Sequence, residues 1–165
     1  LLSKAASLDI AMICPLHGPI LTDNLAYYIG LYDTWSKYNA EDEGVLVAYA
    51  SIHGNTAEAA HFIAEALREK GAKKVAMTDL CRDDMAEAVE DAFRYDKMIV
   101  AASTYDANIF PPMHDFLHHL KIKNFQNRKV GIPFAASRTA VFSDGIQRSC
   151  GHLVGQSPRF FCQRS

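Results

Sequence analysis

The residues whose types and spacing could do chemistry are Ser51-Ile52-His53-Gly54-Asn55-Thr56, between a run of β-forming residues and an Ala- and Glu-rich segment. Ser51, Asn55 and Thr56 supply short hydrogen-bonding side chains, and Gly54 lets the backbone turn tightly. A helix that starts here presents unpaired N–H groups and the positive end of its dipole. Together these features describe an anion cradle suited to a phosphate group. The loop lacks the G-K-[ST] ending of a nucleoside-triphosphate loop and lacks G-x-G-x-x-G, which argues against triphosphate hydrolysis and a dinucleotide fingerprint. A monophosphate held by hydroxyls and amides, without a lysine, fits better. The plainer alternative is an ordinary strand-to-helix turn with a Thr cap, and the loop alone does not choose between the two.

Other reactive side chains are less organised. His114 and His118 stand one helical turn apart beside His119, but no Glu follows the first histidine as in H-E-x-x-H, so a solvated helix face is favoured. Glu87, Glu90 and Asp91 read the same way. Cys14, Cys81, Cys150 and Cys162 form no C-x-x-C pair, which signals neither a zinc site nor a disulfide framework and fits reduced thiols in a cytoplasmic protein. No Ser-His-Asp or Cys-His arrangement stands out.

The elements that must position the loop follow from the pattern of residues 44 to 137. Val45 to Ala50 is a continuous apolar run, as expected where helices cover both faces of a parallel sheet. Thr56 to Lys70 reads as a helix stopped by Gly71, Lys74 to Thr78 as a strand, and Asp84 to Phe93 as a helix. Lys97 to Ala102 is a second buried strand, Pro112 to Leu120 a helix, and Lys129 to Ala135 a further strand. The alternation predicts an α/β fold: a doubly wound, open parallel sheet with right-handed crossovers. Ligands in such sheets bind beyond the carboxyl ends of the strands, where strand order reverses.

Residues 1 to 43 and 138 to 165 stand outside that pattern. In the first zone a short apolar run, Ile10 to Ile13, leads into the turn-rich Cys14-Pro15-Leu16-His17-Gly18-Pro19. A helix follows with Leu25, Tyr28, Ile29, Tyr32 and Trp35 on one face. The acidic Glu41-Asp42-Glu43-Gly44 reads as a linker or loop and places a domain boundary. The last zone is rich in Ser, Arg and Gln, shows no helical stripe, and reads as an irregular tail.

Composition narrows the function. A chain of 165 residues, 49% hydrophobic and 22% charged, suits one ordinary globular domain and excludes disorder and coiled coil. A formal charge of −2 without a long basic run argues against nucleic-acid binding, and no apolar stretch reaches the roughly 20 residues a membrane span needs.

At this point the residues carry a resemblance. Tyr49-Ala50-Ser51-Ile52-His53-Gly54-Asn55-Thr56-Ala57-Glu58 resembles the flavodoxin phosphate loop in its version from the A-type flavoproteins, or flavodiiron proteins. Ala102-Ser103-Thr104-Tyr105-Asp106-Ala107-Asn108-Ile109-Phe110-Pro111-Pro112-Met113 resembles that family's second flavin loop. The segment from Cys14 to Pro19 resembles the end of its metallo-β-lactamase-like domain, and Tyr32, Trp35, Ser36 and Tyr38 match the joining segment. The resemblance runs from about Leu8 to Ile132.

It implies an electron-transfer fragment: residues 1–43 from the end of the lactamase-like domain, and residues 44–137 as a flavodoxin-like domain with FMN as cofactor. The cofactor would be held by Ser51 to Thr56 and by Ser103, Thr104, Tyr105, Asp106, Ala107, Asn108 and Ile109. Tyr105 would stack on the flavin ring, and Thr104 and Ala107 to Ile109 would turn N–H groups toward its pyrimidine edge. Asn108 stands where the family usually has glycine, and asparagine tolerates a left-handed backbone. In the complete family member, rubredoxin or a flavin- or NADH-linked reductase feeds FMN. A diiron centre in a head-to-tail homodimer then reduces oxygen to water or nitric oxide to nitrous oxide. His17 matches the last histidine ligand of that centre; its partners have no counterpart here, so it stands orphaned. The chain opens on Leu1 and loses the family pattern after Ile132, where a third flavin loop, a helix, a fifth strand and a closing helix are expected. It therefore reads as truncated at both ends, with a truncation or frameshift near Ile132 and an incomplete sheet. The alternatives are a stand-alone flavodoxin-like electron carrier and a non-catalytic α/β binding module without flavin.

Overall fold

A computed structural model describes residues 7–133, so the expected tail over 138–165 lies outside the described residues. In chain order the elements are α1 (Leu25–Ser36), β1 (Asp42–Ala50), α2 (Asn55–Glu69), β2 (Val75–Asp79), α3 (Met85–Arg94) and β3 (Tyr95–Ala102). They continue with β4 (Thr104–Tyr105), β5 (Asn108–Ile109), α4 (Pro111–Ile122) and β6 (Lys129–Gly131). The predicted doubly wound sheet is present: β2, β1, β3 and β6 lie side by side in that order, and each neighbouring pair is parallel.

The continuous apolar run of β1 is explained by cover on both sides. Gly44 to Ala50 are all buried. Leu46, Ala48 and Ala50 pack with Ala88, Val89 and Ala92 of α3 and with Met113, Phe116, Leu117 and Leu120 of α4. The alternate residues Val45, Val47 and Tyr49 pack under Ala60 and Ala64 of α2. These small alanines let the helix lie close to the strand, and the period-two alternation assigns each β1 side chain to one of the two cores.

The entry to β1 corrects the linker expectation for Glu41 to Gly44. The strand already begins at Asp42, which pairs with Tyr95, and a register irregularity separates that pair from Val45 opposite Lys97. The acidic residues are matched by a basic pair: Glu43 lies 2.5 Å from Lys73 Nζ and Asp42 lies 2.8 Å from Lys74 Nζ. Gly44 is required by proximity, since a Cβ there would sit 2.7 Å from Tyr95 Cδ1 and 3.0 Å from Lys74 Cβ. Its N–H donates to Asp96 Oδ1 at 2.8 Å.

Other boundaries shift for local reasons. α3 runs directly into β3, which starts at Tyr95 instead of Lys97. β6 ends at Gly131, short of the expected Ala135; Ile132 and Pro133 carry no strand, and residues 134 and 135 lie outside the described residues. The helix expected around Leu25 to Trp35 forms as α1, but none of its residues is buried, and Tyr32 and Trp35 remain exposed. Its far end is fastened by Arg128, whose guanidinium donates to the carbonyls of Tyr38 (2.6 Å), Asn39 (3.1 Å) and Phe93 (2.5 Å).

Candidate functional site

The sheet order places a topological reversal between β1 and β3. The chain leaves β1 for β2 on one side and then crosses back to β3 on the other, so the loops after β1 and β3 part at the carboxyl ends of neighbouring strands. These loops are residues 51–54 and 103–110, the two segments singled out from sequence. The Ser103 N–H donates to the Ala50 carbonyl at 3.4 Å, which ties the start of one loop to the start of the other.

In the first loop, Ser51 Oγ accepts from the Gly54 N–H at 3.0 Å. Gly54 takes φ 94° at the N-cap of α2 and offers no side-chain cap. A Cβ at Gly54 would meet nothing within 4 Å, so conformation and not space demands glycine there. The Thr-capped turn is not what forms: Thr56 lies inside the first helical turn. The Glu58 N–H reaches back to the Gly54 carbonyl at 2.9 Å, whereas the N–H groups of Asn55, Thr56 and Ala57 find no acceptor among the described residues. Ser51 and Thr56 are half-buried, while Ile52, His53 and Asn55 are exposed.

The second loop folds into a small hairpin that sequence reasoning missed. Thr104 pairs with Ile109 and Tyr105 with Asn108, antiparallel. The two turn residues, Asp106 (φ 53°) and Ala107 (φ 56°), are left-handed, as in a type I′ turn. This corrects the expectation for Asn108, which lies in β5 and needs no left-handed tolerance. Asn108 Oδ1 instead accepts from the Ile109 N–H at 2.8 Å, so that N–H is not free for a ring edge. The base is fixed by Ile109, 4% exposed and part of the core, and by the Phe110 N–H donating to the Ser103 carbonyl at 3.2 Å. Tyr105 is 53% exposed and contacts Phe110, with ring centroids 5.9 Å apart and planes at 53°.

Ser103 carries the sharpest chemical signal. Its Oγ is buried at the head of the second loop and has no hydrogen-bond partner among the described residues. Buried hydroxyls are normally paired, so an orphan on a loop at the sheet reversal is a candidate partner for an incoming polar group.

A third loop, after β2, flanks the first and was not singled out from sequence. The Leu80 N–H donates to the Tyr49 carbonyl at 2.9 Å, and Cys81 Sγ lies 3.8 Å from the Ser51 carbonyl. Burial pushes the Cys81 thiol up from its ordinary pKa, and burial followed by the charges of Asp79 and Asp83 does the same to the Tyr49 phenol. The signal available in sequence was Asp79-Leu80-Cys81-Arg82-Asp83, whose carboxylates cap their own turn: Asp79 Oδ1 accepts from the Cys81 N–H and Asp83 Oδ2 from the Asp79 N–H.

His17 lies exposed in the turn closed by the Ile13–Leu21 bridge. Among the described residues no three His, Cys, Asp or Glu side chains gather as a metal site would require, so the residues present do not fit a diiron centre. His119 Nε2 lies 3.8 Å from Asp115 Oδ1 one turn away, and Glu90 and Asp91 pair with Arg94, both surface arrangements. No described helix is long and apolar enough to cross a membrane.

Comparison with known proteins agrees with this geometry. The flavodoxin domain family matches residues 46–143, past Ile132, so the likeness outlasts the point at which the sequence pattern was expected to break. An oxidase of reduced coenzyme F420 from Methanothermobacter marburgensis is 35% identical over 112 residues, covering 68% of this chain and 27% of the relative. The anaerobic nitric oxide reductase flavorubredoxin of Escherichia coli is 26% identical over 124 residues, covering 74% of this chain and 26% of the relative. The rubredoxin oxygen:oxidoreductase of Desulfovibrio gigas superimposes with a TM-score of 0.76 at 19% identity, over 94% of this chain and 40% of its own, a likeness of fold. The chain thus spans well under half the length of each. With a parallel sheet in the order β2-β1-β3-β6, loops at its reversal and a family match over more than half its length, the chain belongs to the flavodoxin domain family.

Proposed function

We propose that this chain is the FMN-binding electron-transfer module of a flavodiiron-type oxidoreductase. The observation that carries the reading is the set of hydrogen-bonding groups left unmet among the described residues on the two loops at the sheet reversal: the Asn55, Thr56 and Ala57 N–H groups and the buried Ser103 hydroxyl. An unpaired helix N-terminus beside hydroxyls suits a phosphate monoester, and no lysine lies in the loop to serve a triphosphate. These residues fit FMN. The hydroxyls of Ser51 and Thr56 and the open N–H groups would hold the phosphate, and the exposed face of Tyr105 offers an apolar surface to the ring. FMN, when bound, supplies the electron-carrying chemistry, and the chain supplies position, partial exclusion of water and local polarity.

Residues ahead of β1 fit the end of a lactamase-like domain. Leu8, Leu16, Ile20 and Tyr27 are 67%, 98%, 62% and 62% exposed, apolar surface that suits a protein neighbour. In the parent, rubredoxin or a reductase would deliver electrons, and reduction of oxygen or nitric oxide would take place at a diiron centre outside these residues, in a cytoplasmic homodimer. Fluorescence titration of the chain with FMN and with riboflavin tests the assignment. FMN emission is expected to be quenched at micromolar concentration, and Thr56→Ala to weaken FMN about 10-fold or more, the loss of one bond to a charged group, while leaving riboflavin within about twofold. Equal weakening of both ligands would sink the phosphate assignment, and absence of quenching would favour a module without flavin.

A further inference from the structure

We propose that Phe110 is a positioning residue for the flavin ring, acting through Tyr105; this rests on the flavin reading above. Tyr105 stands in a hairpin whose strands are two residues each, and such a short ladder fixes the backbone at its base but does not fix an exposed side chain. Among the described residues the Tyr105 ring has one aromatic neighbour, Phe110, at 5.9 Å and 53°. Phe110 is itself held. It is half-buried against the core, its N–H closes the hairpin onto the Ser103 carbonyl, and its carbonyl receives the N–H groups of Met113 and His114 at the start of α4. Pro111 and Pro112 follow at once, so the backbone leaving Phe110 is restricted as well. Phe110 thus connects the rigid helix to a ring that has no second aromatic neighbour among the described residues. The rings meet at a tilt and Tyr105 stays 53% exposed, so surface remains on it for a planar ligand to stack against. Without Phe110 the ring would sample several rotamers and would have to be ordered on binding.

A double-mutant cycle on the full chain tests this. Phe110→Leu keeps apolar volume and removes the ring, and Phe110→Tyr keeps the ring. With Tyr105 present, Phe110→Leu is expected to weaken FMN and riboflavin alike by about three- to tenfold, the range of one aromatic contact. It should also reduce the visible circular dichroism of bound flavin, while Phe110→Tyr restores both. In the Tyr105→Ala background the same change should cost less than about twofold, because the residue it acts through is gone. In the ligand-free chain a nuclear Overhauser contact between the Tyr105 and Phe110 rings is expected. Equal losses in both backgrounds, or absence of that ring contact, overturn the proposal. Failure of the flavin reading looks different: the unsubstituted chain binds neither flavin although the ring contact persists, which removes the ligand and overturns the proposal along with its ground.

Discussion

Replacing Ser103 by alanine should move stability and ligand binding in opposite directions. The hydroxyl is buried without a partner in the ligand-free chain. Such an orphan costs about 1–3 kcal/mol relative to a satisfied or absent group. Alanine removes one oxygen and leaves a space too small to matter much, so Ser103→Ala is expected to stabilise the ligand-free protein by about 1 kcal/mol. With a urea slope of roughly 2 kcal/mol per molar, the unfolding midpoint would rise by about 0.5 M. Binding should suffer. The expected partner of the hydroxyl is the phosphate, because the Ser103 N–H ties this loop to the Ala50 carbonyl directly before the phosphate loop. A hydrogen bond to a charged group contributes about 1.5–3 kcal/mol, which corresponds to FMN binding weaker by about 10- to 150-fold, with riboflavin nearly unaffected. Urea melts of the ligand-free chain and fluorescence titrations with both flavins, on parent and variant, supply the comparison. A lower midpoint would show that the hydroxyl has a stabilising partner. An equal loss for both flavins would place it against the ring or the sugar chain and refute the phosphate role.

Three further outcomes follow from the scaffold. Gly44→Ala puts a Cβ 2.7 Å from Tyr95 Cδ1 and 3.1 Å from the Lys74 carbonyl, and should lower stability by about 1–3 kcal/mol in urea melts. Ala107→Gly relieves a left-handed alanine at φ 56° and should raise the thermal midpoint, since the strain of about 1 kcal/mol exceeds the entropy glycine adds to the unfolded chain. Asp96 illustrates the pH dependence. Burial pushes its pKa up, but Lys97 and the Gly44 N–H outweigh burial and hold it below the ordinary aspartate value of 3.8. A depressed folded pKa stabilises the fold above the unfolded value, and that contribution disappears as pH falls through the folded value. Asp96→Asn should therefore be less stable than the parent at about pH 7, and the gap should close as pH falls through the depressed folded value.

The parallel sheet was readable because Val45–Ala50 and Lys97–Ala102 are apolar without interruption, and only cover on both faces makes such runs stable as strands in water. The phosphate-type loop was readable for a similar reason: hydroxyls, glycine and a helix start occur together within six residues. What escaped reading depends on contacts distant in sequence. Glu41 to Gly44 has the composition of a linker, yet Asp42 and Glu43 find Lys74 and Lys73 about thirty positions later, and Gly44 is selected by the approach of Tyr95. The β4–β5 hairpin escaped because two-residue strands carry no period and its turn uses Asp-Ala where Asn-Gly is the usual signal. The Ser103 orphan is visible only in three dimensions, since whether a hydroxyl is buried and unpaired is not written in the residue types around it.

These unmet groups and the strained turn share a location, and that coincidence carries physical weight. The central strands β1 and β3 are buried by small and aliphatic side chains, and the two loops that leave them hold the features a stability optimum would remove. The α2 N-terminus is left without a side-chain cap, a serine hydroxyl is buried without a partner, and an alanine is held left-handed beneath the most exposed aromatic of the crevice. The hydroxyl and the alanine each cost about 1 kcal/mol in the ligand-free chain, and the glycine cap roughly a few tenths. A partner or a glycine would be a single substitution away, whereas a capping side chain at position 54 would meet the positive φ that demands glycine. A ligand that meets the open N–H groups and the orphan hydroxyl binds the folded chain and not the unfolded one, and so stabilises it by mass action. Part of that cost lies where a phosphate and a flat ring would recover it, while Arg128 Nε, buried without a partner among the described residues, and the left-handed Tyr38 carry similar costs outside these loops.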